Sequence, residues 1–197
     1  MFKSHLIGLV VFMFCMTTPA QAASFEFSTS ELNAGTRCNQ SLRISIDATG
    51  EESNAADIEI HYDPRAVVII DADPNQNGVQ IATGDAYESY AGNQVDTATG
   101  TIRLTAFSVG TVLNTQATFA TINFHAAGDD VTGATFNILF NGAGNTWDSN
   151  IADASTSTDL LTHVQDAHVN FSIDGCVRQV AGLSTVKVSG SNETSTA

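Results

Sequence analysis

The stretch 54–70, Asn-Ala-Ala-Asp-Ile-Glu-Ile-His-Tyr-Asp-Pro-Arg-Ala-Val-Val-Ile-Ile, constrains the fold more than any other. Ile58, Ile60 and Tyr62 alternate with Asp57, Glu59 and His61. A period of two marks a strand with one buried and one wet face. Asp63-Pro64 ends it, because proline fixes its own φ and has no amide hydrogen to give a ladder. Arg65 to Ile70 is then a β-branched run, which predicts a second strand buried more fully than the first. The unit reads as strand, tight Asp-Pro turn, strand.

The same short-strand grammar covers nearly all of the chain between residues 23 and 176. Phe25-Glu26-Phe27 opens, and Asn33-Ala34-Gly35 reads as a turn. Leu42, Ile44 and Ile46 alternate with Arg43, Ser45 and Asp47, and Thr49 to Asn54 is a polar turn. Asp71 to Gly100 is irregular and rich in Asn, Asp, Gly and Gln, with room for one short edge strand between Tyr87 and Val95. Thr101 to Phe107 places Ile102, Leu104 and Ala106 opposite Thr101, Arg103, Thr105 and Phe107. Strands follow at Phe119 to Ala127 and at Ala134 to Phe140, the latter carrying Phe136, Ile138 and Phe140 on one face. Asn141 to Thr158 reads as loop, Thr158 to Val164 as the one short helix the pattern allows, and Ala167 to Ile173 as the last strand. Eight or nine short strands with turns every eight to twelve residues predict one all-β domain, an antiparallel sandwich or barrel.

The ends read differently. Residues 1–22 carry Lys3, an apolar run from Leu6 to Met16 too short for a bilayer span, and Ala20-Gln21-Ala22 as a small-x-small cleavage site. That is a secretory signal peptide, with an uncleaved anchor helix as the alternative. Cys15 follows Phe14 rather than a small residue, so no lipid anchor is read. Residues 177–197 read as a tail expected to be partly disordered: Gly190 to Ala197 is Ser/Thr/Asn-rich, and Val177 to Val188 reads as either one more strand or a loose tail. The expected location is therefore secreted and extracellular, or periplasmic. The formal net charge of −14 argues against partners that need basic patches, nucleic acid and anionic membranes. Cys38 and Cys176 survive cleavage; in an exported chain two cysteines usually pair, and without a CxxC spacing the alternative of two metal-ligating thiols has little support.

Four segments, in order, resemble cohesin domains. Asn54-Ala55-Ala56-Asp57 through Tyr62-Asp63-Pro64 and its β-branched successor is similar to the third and fourth cohesin strands. Gly100-Thr101-Ile102-Arg103-Leu104 resembles the glycine-led sixth, and Phe119-Ala120-Thr121-Ile122-Asn123-Phe124 the seventh. Asn150-Ile151-Ala152-Asp153 resembles the loop before the final strand. The resemblance runs from Phe25 to Asp174. It implies a nine-stranded jelly-roll β-sandwich with antiparallel sheets and with its first and last strands side by side and parallel. That arrangement brings Cys38 and Cys176 to one end and favours their disulfide. It also implies a protein-binding module rather than an enzyme, docking dockerin-bearing secreted proteins such as polysaccharide-degrading enzymes. By strand position, the docking residues are Asp57, Glu59 and His61, then Arg103, Thr105 and Phe107, then Thr135, Asn137 and Leu139, with Tyr90 from the edge strand. Phe107 and Leu139 are the expected desolvated anchors.

Three other readings are weighed against this one. Asp73-Pro74-Asn75-Gln76-Asn77-Gly78 matches the first half of a calcium loop, with Asp73, Asn75 and Asn77 as the oxygen ligands for Ca²⁺. The twelfth position is Gly84 and not a bidentate Glu, so an Asn/Gly-rich turn is the plainer reading. A carbohydrate-binding module on the same fold, taking polysaccharide, needs a planar aromatic platform. Its candidates are Trp147, Tyr87 and Tyr90, with Tyr62 on the buried face. A structural surface or adhesin subunit needs a donor strand in Val177 to Val188. For catalysis there is no Gly-x-Ser-x-Gly elbow, no His-Glu-x-x-His helix and no selected carboxylate pair, and the histidines are scattered.

Overall fold

A computed structural model describes residues 23–173. Among these residues the chain is all strand and loop, thirteen strand segments in two sheets. The first sheet runs β12 (Leu161–Gln165), β1 (Ala23–Phe27), β3 (Gln40–Asp47), β9 (Gln116–Ala126), β5 (Val67–Ile69), with β6 (Ala82–Thr83) also on β9. The second runs β2 (Glu31–Gly35), β13 (Ala167–Ser172), β10 (Gly133–Ile138), β4 (Ser53–His61), β8 (Thr101–Phe107), β7 (Ser89–Asp96), with β11 (Asn150–Asp153) also on β4. Taken as continuous runs, β1–β2 and β12–β13 are one strand each that passes from one sheet to the other. With β6 and β11 as short additions, that leaves the nine strands expected.

Alternation builds the layers. Leu42, Ile44 and Ile46 of β3, Ile58 and Ile60 of β4, and Ile102, Leu104 and Ala106 of β8 are all buried, while their neighbours face outward. The interior is stitched by aromatic rings. Phe25 meets Phe119 at 5.1 Å, and Phe136 meets Phe124 at 5.1 Å, Tyr62 at 5.9 Å and Phe27 at 6.2 Å. Burying each such ring is worth about 1.5–3 kcal/mol. Phe119 and Ala120 are adjacent yet both buried, because the β3–β9 register slips there: Ile44 faces Ala120 but Ser45 faces Thr118. This β-bulge turns the strand and gives the core one extra phenylalanine.

The terminal strands pair in parallel, as expected. β1 lies along β12 and β2 along β13. The crossing between sheets at the chain end takes a single residue, Asp166, whose Oδ1 accepts a hydrogen bond from the Ile138 amide at 2.8 Å.

Several local expectations are corrected. Asn33-Ala34-Gly35 is not a turn but the end of β2, where Gly35 faces Ser172. Thr158 to Val164 is not a helix: Leu161 opens β12, with Leu161 fully buried beside β1. Asn150 to Asp153 is a strand antiparallel to β4, not a loop. In the run after Asp63-Pro64 only Val67–Ile69 is strand, since the Ala66 and Val67 amides first turn back onto the Asp63 carbonyl. That strand also alternates, Val68 being 43% exposed, so it is not more fully buried than β4. The edge strand in the irregular region is eight residues long.

Gly100 explains the glycine that leads β8. Its φ is +72°, and a Cβ there would lie 2.0 Å from the Tyr62 carbonyl oxygen. The Tyr62 amide donates to the Gly100 carbonyl at 2.8 Å, so β4 ends where Gly100 closes on it.

Candidate functional site

Four adjacent strands, β10, β4, β8 and β7, present one outer face. Register places its side chains in rows, because directly opposed residues share a face. Asn137, His61, Thr101 and Asp96 make one row; Glu59, Arg103 and Gln94 the next; Asn150, Asp57, Thr105 and Ala91 the third; Phe107 and Ser89 close the block. Asp57, Glu59, His61, Arg103, Thr105, Phe107 and Asn137 thus come together as expected. Phe107, 40% exposed, is the large apolar side chain of this block.

Glu59 is the electrostatic centre. Its Oε2 accepts from Arg103 Nε at 2.8 Å and its Oε1 from His61 Nε2 at 2.7 Å. The Arg103 hydrogen bond, ahead of the one from His61, holds the Glu59 carboxyl below its usual range. Asp57, one row away, goes the opposite way: partial burial raises its pKa, and the carboxylates of Asp159 and Asp148 push in the same direction, against a hydrogen bond from Asn150. The face therefore carries one neutralised and one uncompensated carboxylate side by side.

Two expected residues are placed differently. Tyr90 faces inward: it pairs with the buried Ala106, and its ring packs 5.8 Å from Phe119. Two residues later Gly92 and Asn93 bulge out of the β7–β8 register, and Ala91 and Gln94 take the outward positions on either side. Leu139 lies just past the end of β10 and is half-buried. Its amide donates to the Glu59 carbonyl at 2.8 Å and its carbonyl accepts from the Ser149 amide at 3.0 Å. Fully buried Ser149 fills the gap between β10 and β11, its Oγ accepting from the Glu59 amide at 3.0 Å.

The face also holds residues that strand periodicity does not reach. The loop 141–149 brings Trp147, 90% exposed, beside Asp57, Glu59, Arg103 and Thr105, with Asp148 next to it and 5% exposed. Trp147 has no period-two neighbours to mark it; its sequence signal is its type alone.

The aromatic platform is not assembled. Tyr62 and Tyr87 are each 6% exposed and Tyr90 packs on the core, which leaves Trp147 without coplanar partners. Tyr87 donates or accepts a 2.7 Å hydrogen bond with Ser53, and burial pushes its phenol up to about 12. In the calcium-loop stretch, Asp73 caps its own turn: Oδ1 accepts from the Asn75 amide at 3.2 Å and Oδ2 from Gln76 Nε2 at 2.7 Å. Gly84, at the twelfth position, is docked on β9, where a Cβ would lie 2.0 Å from the Thr118 carbonyl oxygen. Among the described residues no three His, Cys, Asp or Glu side chains gather in a metal-binding arrangement. Cys38 is buried and disulfide-bonded. Cys176, the donor segment Val177 to Val188 and the signal peptide lie outside the described residues.

Two curled sheets, parallel terminal strands and an outer face ordered by register define a jelly-roll β-sandwich. A model of the cohesin domain matches residues 28–165, and the chain belongs to that family. Among solved structures, a type II cohesin domain from the cellulosome of Acetivibrio cellulolyticus is similar, with 13% identity, a TM-score of 0.61, and coverage of 76% of this chain and 96% of that one. CaCohA2 from Clostridium acetobutylicum shares 11% identity with a TM-score of 0.57 over 77% and 93% of the two chains. A type II cohesin–X–dockerin complex from A. cellulolyticus matches at 11% identity and a TM-score of 0.51, over 77% and 95%. At these identities the likeness is one of fold. No curated protein matches the chain.

Proposed function

We propose that this chain is a non-catalytic docking module that holds a dockerin-bearing secreted protein, such as a polysaccharide-degrading enzyme, on the outer face of β10, β4, β8 and β7. The observation that carries the reading is the register-aligned block of Asp57, Glu59, His61, Arg103, Thr105, Phe107 and Asn137 in a cohesin-family chain. Phe107 supplies an apolar contact at one end of the block, and the Glu59 network fixes polar groups beyond it. Export is part of the proposal, supported by the signal-peptide pattern in residues 1–22 and by the oxidised state of Cys38, whose partner we take to be Cys176.

The test is capture from the source secretome on immobilised protein, with and without Ca²⁺. Recovery of proteins carrying paired calcium-loop repeats is the expected result. Phe107→Ala is expected to weaken that capture about tenfold or more at unchanged melting temperature, and Arg103→Glu to weaken it as much with a lower melting temperature, since it breaks the pair with Glu59. Recovery of no such protein, or capture indifferent to both substitutions, rejects the assignment. Retention on insoluble polysaccharide without a protein partner favours the carbohydrate-binding reading instead.

A further inference from the structure

We infer that the depression beside Trp147 is a receptor for a basic side chain, arginine in preference to lysine, presented by the docked protein. The inference rests on the docking role proposed above and assigns one contact within it.

The depression, about 230 Å³, opens on the outer face between β4, β8 and the loop 141–149. Three carboxylates line it, Asp57, Glu59 and Asp148. Glu59 is already matched by Arg103 and His61. Asp148 is not matched. Its Oδ2 accepts from the Asn141 amide, but its Oδ1 is buried and has no hydrogen-bond partner among the described residues. A buried carboxylate oxygen without a donor is expensive, and the low local dielectric carries its field to whatever lies above. Arg103, the basic residue on the opposite wall, is committed to Glu59. Burial raises the Asp57 pKa, and the nearby Asp159 and Asp148 carboxylates add to it in the same direction.

Trp147 supplies the second half of the receptor. A lone tryptophan 90% exposed leaves its ring face open to water, and that face attracts a cation through the ring quadrupole. Its placement at an acidic depression makes the two attractions coincide. A guanidinium can stack flat on the indole while its N–H groups turn toward Asp57 and lie in the field of buried Asp148; an ammonium offers only a point charge. The receptor therefore reads both charge and planarity.

Trp147 is the one tryptophan in the chain, so its fluorescence reports this site directly. The purified chain is titrated with N-acetyl-arginine amide, its lysine counterpart, the uncharged N-acetyl-citrulline amide, and CaCl₂. A saturable emission change with the arginine derivative is expected, weaker with lysine and lacking with citrulline. Asp148→Asn should weaken it about fivefold, the size of one partly screened charge pair. Because Asp148 also holds the Asn141 amide, Asp57→Asn is the second variant and should weaken it likewise, while Phe107→Ala should not. The inference is overturned by no saturable change, by an equal response to citrulline, by indifference to both aspartate variants, or by a Ca²⁺ response that arginine fails to displace. Loss of this response with dockerin capture intact removes the receptor and spares the docking role; an arginine response without capture removes the docking role and, with it, the docked protein as the source of the arginine.

Discussion

Two carboxylates one row apart on the same strand respond to acid in opposite senses. Glu59 is held below the ordinary 4.5 by Arg103 and then His61, so its ion pairs favour folding above that pH, and this contribution is lost as pH falls through the lowered value. Asp57 is held above 3.8 by burial, so the folded state takes up its proton more readily than the unfolded chain, and its penalty is relieved on acidification. Carboxyl carbon shifts followed by NMR are expected to show Asp57 titrating above 3.8 and Glu59 below 4.5. A reversed pair of shifts contradicts the described network. Gly100 gives a steric counterpart. With φ at +72° and the Tyr62 carbonyl oxygen 2.0 Å from where a methyl group would stand, Gly100→Ala should cost at least about 2 kcal/mol and lower Tm by roughly 5 °C or more in a thermal melt. At this scale the sequence was readable wherever a side chain obeys period two, as for Asp57, Glu59 and His61. It misled where the period breaks: Tyr90 is drawn inside by its pairing with Ala106, and Leu139 stands beyond the last ladder residue of β10.

At the level of elements, pairing with a distant strand overrides local preference. Asn33-Ala34-Gly35 has turn chemistry, and 158–164 has helix-compatible residues. The first, and the second from Leu161 on, are strand because a parallel neighbour far away in sequence satisfies the backbone, β13 for β2 and β1 for β12. Such non-local partners leave no mark in a local window. The glycine-rich and Asn-rich loops hide β11 in the same way. The sheet switch at Asp166 is the element most open to test. Asp166→Ala removes the acceptor for the Ile138 amide and should cost about 1 kcal/mol, read as a lower urea midpoint at constant m-value. Phe136 bridges the two sheets through Phe124, Phe27 and Tyr62, and Phe136→Ala should cost about 3–5 kcal/mol by the same measurement.

For the molecule as a whole, the all-β class was legible because strand length and turn spacing agree with one another, whereas the parallel terminal strands were expected only through the resemblance to cohesin domains. Trp147 was visible only as a residue type, since an irregular loop carries it and nothing in a periodic pattern says where a loop will lie. If Cys38 is closed by Cys176, non-reducing peptide mapping of the purified protein should yield one linked peptide containing both. The paired terminal runs have a further effect on geometry. β1 continues into β2 and β12 into β13 without reversing, and the two runs are parallel, so Ala23 begins at one pole of the sandwich and Ser172 finishes at the other. The broad face of β10, β4, β8 and β7 lies between those poles. A partner docked on that face, as proposed, would therefore sit to the side of the line that joins Ala23 to Ser172 rather than at either of its ends.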